Sequence, residues 1–287
     1  MKQDLKKTDF FCLEKKLWLA NQTTNIRAYD FQFTPLFSVS RPRINEPSKI
    51  VARIGAIADY SSLYLTYQEL GFELINSPKQ HQLASELQFW YPLIAEMTPK
   101  SKVYPNFPNL ATVLKDFSFP IFIKGNRQTA KHHPDLCIAK NKTDFQQIAK
   151  AYQENNILHW QAVVCRTYVP LHSLKQQVPD KVPLSFEFRT FWWKGNLVGS
   201  GPYWSQFANY QWSPQQQQVA LQLAQQAANR IQVPFLVIDL ALTQKGKWII
   251  IECNDAQESG YAGVAPFLLW QNILELENNH STYEIYK

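Results

Sequence analysis

Residues 235–255 read FLVIDLALTQKGKWIIIECND, and the fold turns on how this stretch doubles back. Leu236, Ile238 and Leu240 alternate with Val237, Asp239 and Ala241, the period of a strand with two distinct faces. Trp248 to Ile251 is apolar and β-branched, as a second arm should be. Lys245-Gly246 lies between the arms, and glycine supplies the positive φ of a tight hairpin turn. A two-residue loop there predicts that Gln244 faces Lys247 and that Asp239 faces Glu252. Carboxylates so opposed have Cβ atoms about 5 Å apart and repel one another. Asn254, two residues past Glu252, projects from the same face. Two carboxylates and an amide oxygen are hard donors suited to Mg²⁺. The competing reading, two solvent-facing acids on an antiparallel sheet, explains each acid but not three donors converging between apolar arms.

A chain of 287 residues suits two domains, or one with lobes, and can bury a large core. The 45% hydrophobic and 18% charged residues are those of a globular protein. A net charge of +6 favours polyanions weakly; the basic residues are dispersed, so nucleic acid is not indicated, and a nucleotide would use the same charge more economically. Four cysteines without a CxxC pair read as free thiols in a reducing, cytoplasmic setting. No apolar run approaches a membrane span, and residues 1–11 lack a signal-like region.

Along the chain, Ile50–Ile57, Ser61–Leu70 and Phe72–Ile75 read as strand, helix and strand, with Gly71 as the helix stop. Trp18–Ala20 and Phe31–Phe37 are candidate short strands. Ser77-Pro78 opens a helix to about Trp90, and Ser213-Pro214 another to about Arg230 with Val219, Leu223 and Ala227 on one face. A Pro-rich connector, 98–109, leads to the apolar strand Phe119–Gly125, which ends in Lys124 and Gly125. Thr143 and Gln146 form a predicted capping box for a helix whose apolar face is Phe145, Ile148, Ala149 and Tyr152. Gln161–Val169 and Ser185–Trp193 read as strands, the latter with Glu187 and Arg189 on one face, and Phe267 to about Glu277 as a helix.

The polar residues left over from core packing fall at strand ends: Lys124, Lys131 after a polar loop, Arg189, and the acidic set. Cations opposite metal-type donors fit a nucleoside triphosphate, with phosphate oxygens neutralised from both sides. A GxxxxGK[ST] loop and kinase signatures are absent, so side chains rather than a Gly-rich cradle would hold the phosphates.

With these residues in view, Phe119 to Ala262 resembles an ATP-grasp domain. In that family an acid on one strand is followed thirteen residues later by an E-x-N triplet, here Asp239 and Glu252-Cys253-Asn254. The best resemblance within it is to the arginine-and-two-lysines clade, through Lys124 and Lys131, Glu187-Phe188-Arg189, Tyr203-Trp204 and the long run ECNDAQESG, Glu252 to Gly260.

The resemblance implies an α+β fold of two subdomains clamping a nucleotide, behind an N-terminal α/β lobe. The lobe would be residues 1–118; the ATP-grasp domain would be 119–287, with a flap subdomain at 119–183 and a metal-binding subdomain at 184–287. It implies ATP and Mg²⁺ as ligands. Lys124 and Lys131 would contact phosphates, and Val164, Arg166, Thr167 and Tyr168 would form the strand that reads the base. Glu187 and Arg189 would face the nucleotide, with Arg189 and Lys131 in catalytic roles. Asp239, Glu252 and Asn254 would hold the metal, and Glu258, Ser259 and Gly260 would line the acceptor pocket. The implied activity is ligation of a carboxylate to an amine, peptide or protein acceptors among them, through an acyl phosphate. The alternatives are an ATP-binding assembly factor for a protein partner and, on charge alone, action on nucleic acid.

Overall fold

The computed structural model describes residues 8–22, 31–41, 48–55, 57–127, 137–155, 158–176, 178 and 183–284. Lys131, His132 and His133 lie outside them. Among the described residues three sheets carry the fold. The first holds β1 (Thr8–Leu13), β2 (Leu17–Gln22), β3 (Val39–Ser40), β4 (Ser48–Arg53) and β5 (Phe72–Leu74) in the order β3-β1-β2-β4-β5. Helix α1 (Tyr60–Glu69) is the crossover between the parallel strands β4 and β5, as the strand-helix-strand reading requires. Phe31–Phe37 is not a strand; Phe33 instead lays its ring 5.5 Å from Trp270.

Helix α2 (Pro78–Ser85) has the expected Ser77 cap, closed as a box by Gln80. It stops short of Trp90 because Glu86 is extended, and α3 (Leu87–Trp90) starts anew.

The second sheet is β6 (Ser101–Tyr104), β7 (Ile121–Gly125), β8 (Ile138–Ala139) and β9 (Val163–Thr167), ordered β6-β9-β7-β8. Strand β6 precedes the expected boundary after residue 118, yet pairs with β9 along its whole length. A division at 118 would therefore cut a sheet. Between β6 and β7 lies the short helix α4 (Leu110–Val113). Helix α5 (Lys142–Glu154) covers the sheet with Phe145, Ile148 and Tyr152. Its cap is Asn141 rather than Thr143: the Asn141 side chain accepts from Asp144 N–H while Asp144 accepts from Lys140 N–H.

The third sheet, β11-β10-β12-β13, is antiparallel throughout: β10 (Glu187–Trp193), β11 (Asn196–Pro202), β12 (Phe235–Leu242) and β13 (Trp248–Asp255). Every residue of β10 and β12 is buried, because both faces are covered. Leu236, Ile238 and Leu240 pack with α6 (Pro214–Ile231), and Phe235 and Val237 pack with Trp270 and Ile273 of α7 (Pro266–Glu284). The α6 contact is an alanine face, Ala220, Ala224, Ala227 and Ala228, that lets the helix lie close to the sheet; Val219, expected on that face, is 54% exposed.

The β12–β13 turn differs from its sequence reading. Thr243 N–H donates to Lys247 O, and Gly246 has φ +76°. The loop is thus Gln244-Lys245-Gly246, three residues with glycine in the left-handed position. Near the turn Leu242 faces Trp248 and Leu240 faces Ile250. Asp239 nevertheless faces Glu252, because the register shifts between Asp239 and Leu240 and leaves Ile251 as one extra residue. A β-bulge at Ile251 cancels the longer turn.

Candidate functional site

Three neighbouring strands bring Arg189, Asp239 and Glu252 into one row: Arg189 faces Asp239, and Asp239 faces Glu252. The Arg189 Nε and Nη2 donate to the two oxygens of Asp239 at 2.9 and 2.8 Å, and Nη1 donates to the Gly260 carbonyl at 2.8 Å. Burial alone would lower the Arg189 pKa; the facing Asp239, by charge and hydrogen bond, outweighs it and raises the pKa. Asp239 is completely buried. Its pairing with Arg189 answers the like-charge problem that the opposed acids raise.

Glu252 is answered from the second sheet. Lys124, buried at the end of β7, places Nζ 2.5 Å from Glu252 Oε1. Arg166 crosses from β9: Nε donates to Ser101 Oγ at 2.8 Å and Nη1 to the Ile251 carbonyl at 2.7 Å. Burial, against the pull of Glu252, lowers this guanidinium to about 10. Between the two sheets lies a pocket of about 160 Å³, with Lys124, Arg166, Tyr168, Glu187 and Glu252 in its wall. Thr167 also lines it, whereas Val164 is wholly buried in the core against α6 and the third sheet. Glu187 is buried and accepts from Ser185 Oγ.

The donor set fits a divalent cation. An ionised carboxylate has about four lone-pair sites, and Arg189 takes one on each Asp239 oxygen. Asn254 is half-buried opposite Val237, two residues beyond Glu252. Among the described residues no cluster of three or more His, Cys, Asp or Glu is placed to hold a metal. The cysteines do not contribute a nucleophile: all four are free and buried. Burial pushes the Cys165 thiol up to about 12, and burial followed by Asp239 and Glu252 pushes Cys253 well above its ordinary value.

The expected acceptor residues stand at the end of β13, against the lobe. Gly260 receives Arg189, and Ser259 Oγ donates to Asp255 O at 2.9 Å. Glu258 does not line the pocket between the sheets. It is buried, 2.9 Å from Arg127 Nη2, in a network the sequence reading missed. Arg127 Nη2 also lies 2.9 Å from His81 Nε2; arginine only donates, so Nε2 accepts and Nδ1–H is left to donate to Asp255 at 3.1 Å. Burial pushes the Glu258 carboxyl up, against the pull of Arg127. Arg53, wholly buried in β4, donates to the Ala256 and Ser259 carbonyls and stacks over Tyr261. Asp255, inside the ECND motif, was the available sequence signal; His81, Arg127 and Arg53 carried none.

Two sheets thus meet at a pocket walled by Lys124 from one and by Glu252, the end of the row, from the other. The sequence model of the ATP-grasp domain, R2K clade family 3, matches residues 90–273, and the chain belongs to that family. No protein of curated function matches. Among solved structures, D-alanine–D-alanine ligase from Bacillus anthracis complexed with ATP is 12% identical, with 83% of this chain and 81% of that one covered at a TM-score of 0.57. VanG D-Ala:D-Ser ligase from Enterococcus faecalis is 13% identical over 82% and 71% of the two chains, TM-score 0.55. The RimK domain ATP-grasp protein from Sphaerobacter thermophilus is 12% identical over 73% and 72%, TM-score 0.51. At these identities the likeness is one of fold.

Proposed function

We propose that the protein is an ATP- and Mg²⁺-dependent ligase that joins a carboxylate to an amine. The observation that carries this reading is the row Arg189–Asp239–Glu252, met by Lys124 from the facing sheet at the wall of a pocket. A carboxylate is a poor electrophile. Its oxygen attacks the γ-phosphorus of ATP, ADP leaves, and the acyl phosphate so formed carries a good leaving group. The amine then attacks the acyl carbon, loses a proton and expels phosphate. The protein's part is positioning and charge neutralisation. Lys124 and Arg189 supply donors to phosphoryl oxygens, with Lys131 as a proposed third. Arg166, Thr167 and Tyr168 would line the nucleotide's place, Val164 on the same strand would support it from the core, and Glu187 would close its wall. Asp239, Glu252 and Asn254 would hold Mg²⁺, whose chemistry when bound is to neutralise phosphate oxygens. Glu258, Ser259 and Gly260 would border the acceptor. We place the boundary of the lobe near Thr98, before β6, since the second sheet includes that strand.

Glu252→Gln is the informative variant, because it keeps the shape of a pocket-lining side chain. Its Mg²⁺-dependent ADP release, screened against amino-acid and peptide acceptors, should fall by at least about 100-fold, the scale of losing a group that stabilises transferring charge. ADP release equal to wild type would remove the assignment. Acceptor-independent protection of bound ATP over hours would identify the assembly-factor alternative.

A further inference from the structure

The bulge at Ile251 decides which face of β13 carries Glu252. In a regular strand, residues two apart share a face, so Glu252 would lie with Ile250, which packs in the core with Leu240 and Ile238. The extra residue changes that parity: Ile249, Ile251 and Glu252 all line the pocket. A bulge also leaves backbone groups outside the ladder. Here the Ile251 carbonyl is taken by Arg166 Nη1 at 2.7 Å, a donor from a different sheet. Arg166 is itself fixed by Ser101 Oγ on β6, and its Nη2 is buried with no hydrogen-bond partner although the side chain lines the pocket.

We infer that Arg166 is a positioning residue: by holding the Ile251 carbonyl it maintains the bulge that sets Glu252 against Asp239 and Lys124, and so tunes metal affinity at the site. This rests on the nucleotide reading above. It differs from a role in merely contacting ATP, because a contact would change nucleotide affinity, whereas a bulge clamp changes the metal requirement. Groups that orient a metal ligand are worth about 10–100-fold in metal affinity.

The test uses the full chain, Mn²⁺ as the metal probe and a non-hydrolysable ATP analogue at saturation, with bound Mn²⁺ read by electron paramagnetic resonance. Arg166→Met should raise the Mn²⁺ midpoint about 10–100-fold. Ser101→Ala, which removes only the anchor of Arg166 and does not line the pocket, should shift the midpoint in the same direction by a smaller factor. A midpoint within about twofold of wild type in both variants, in a protein that binds Mn²⁺ with the analogue, overturns the inference and leaves the nucleotide reading standing. Should wild type bind no Mn²⁺ with the analogue, the nucleotide reading fails and this inference falls with it. If Arg166→Met does not fold, Ser101→Ala decides: a raised midpoint supports the clamp and an unchanged one refutes it.

Discussion

Arg189 and Asp239 are both buried, so neither charge can be removed alone without cost. Breaking such a pair costs about 3–5 kcal/mol, because the surviving charge keeps its desolvation penalty and loses its partner. Arg189→Met should therefore lower unfolding free energy by about that amount, while Arg189→Met with Asp239→Leu should recover much of it and still lack ATP turnover. Urea denaturation of the two proteins checks this; a single variant as stable as wild type would contradict it. Glu258 makes a prediction of opposite electrostatic sign. Its carboxyl pKa is raised in the fold by burial, so the folded chain binds the proton more tightly than the unfolded one. The contribution of Glu258 is then fully present below its unfolded pKa and is lost as pH rises through the folded value. Relative to Glu258→Gln, wild type should lose stability as pH rises from about 4.5 toward neutrality. A stability difference that is flat or rises over that window would show that Arg127, not burial, governs the group.

At the level of elements, the motif residues were legible in the sequence and the local geometry that presents them was not. The Asp239–Glu252 opposition followed from a two-residue loop, but the structure reaches it with a three-residue loop and a compensating bulge. A bulge has no composition of its own, and Ile251 looks like any other strand residue. Of the expected α6 face, Ala227 and Leu223 pack on the core and Val219 does not, for a related reason: close packing on a sheet selects the smallest side chains, whereas periodic reading looks for large ones. Helix α5 carries two residues able to cap, Asn141 and Thr143, and the backbone chose the first. Asn141→Ala should cost about 1 kcal/mol and Thr143→Ala a few tenths at most. Equal losses in thermal denaturation would show that the cap is shared.

For the whole molecule, the contacts that sequence could not foretell are those of longest reach. His81 and Asp255 are 174 residues apart, and Arg127 and Glu258 are 131 apart. No local pattern records such pairings. They matter because the N-terminal lobe is bonded into the core: Tyr60 accepts from Gln257, Asn76 donates to Asp255, and Phe11, Leu13 and Val51 share one apolar cluster with Phe191 and Trp270. Lobe and core should melt in one calorimetric transition; two resolved peaks would mean independent folding. Arg53 carries a further consequence. Its two bonds hold the carbonyls of Ala256, just before the residues proposed to meet the acceptor, and of Ser259, one of those residues. A chimera that took its first hundred residues from a relative would thus inherit a new brace for that loop as well as a new wall, and a transplant made without a matching arginine there would arrive with its acceptor loop unmoored.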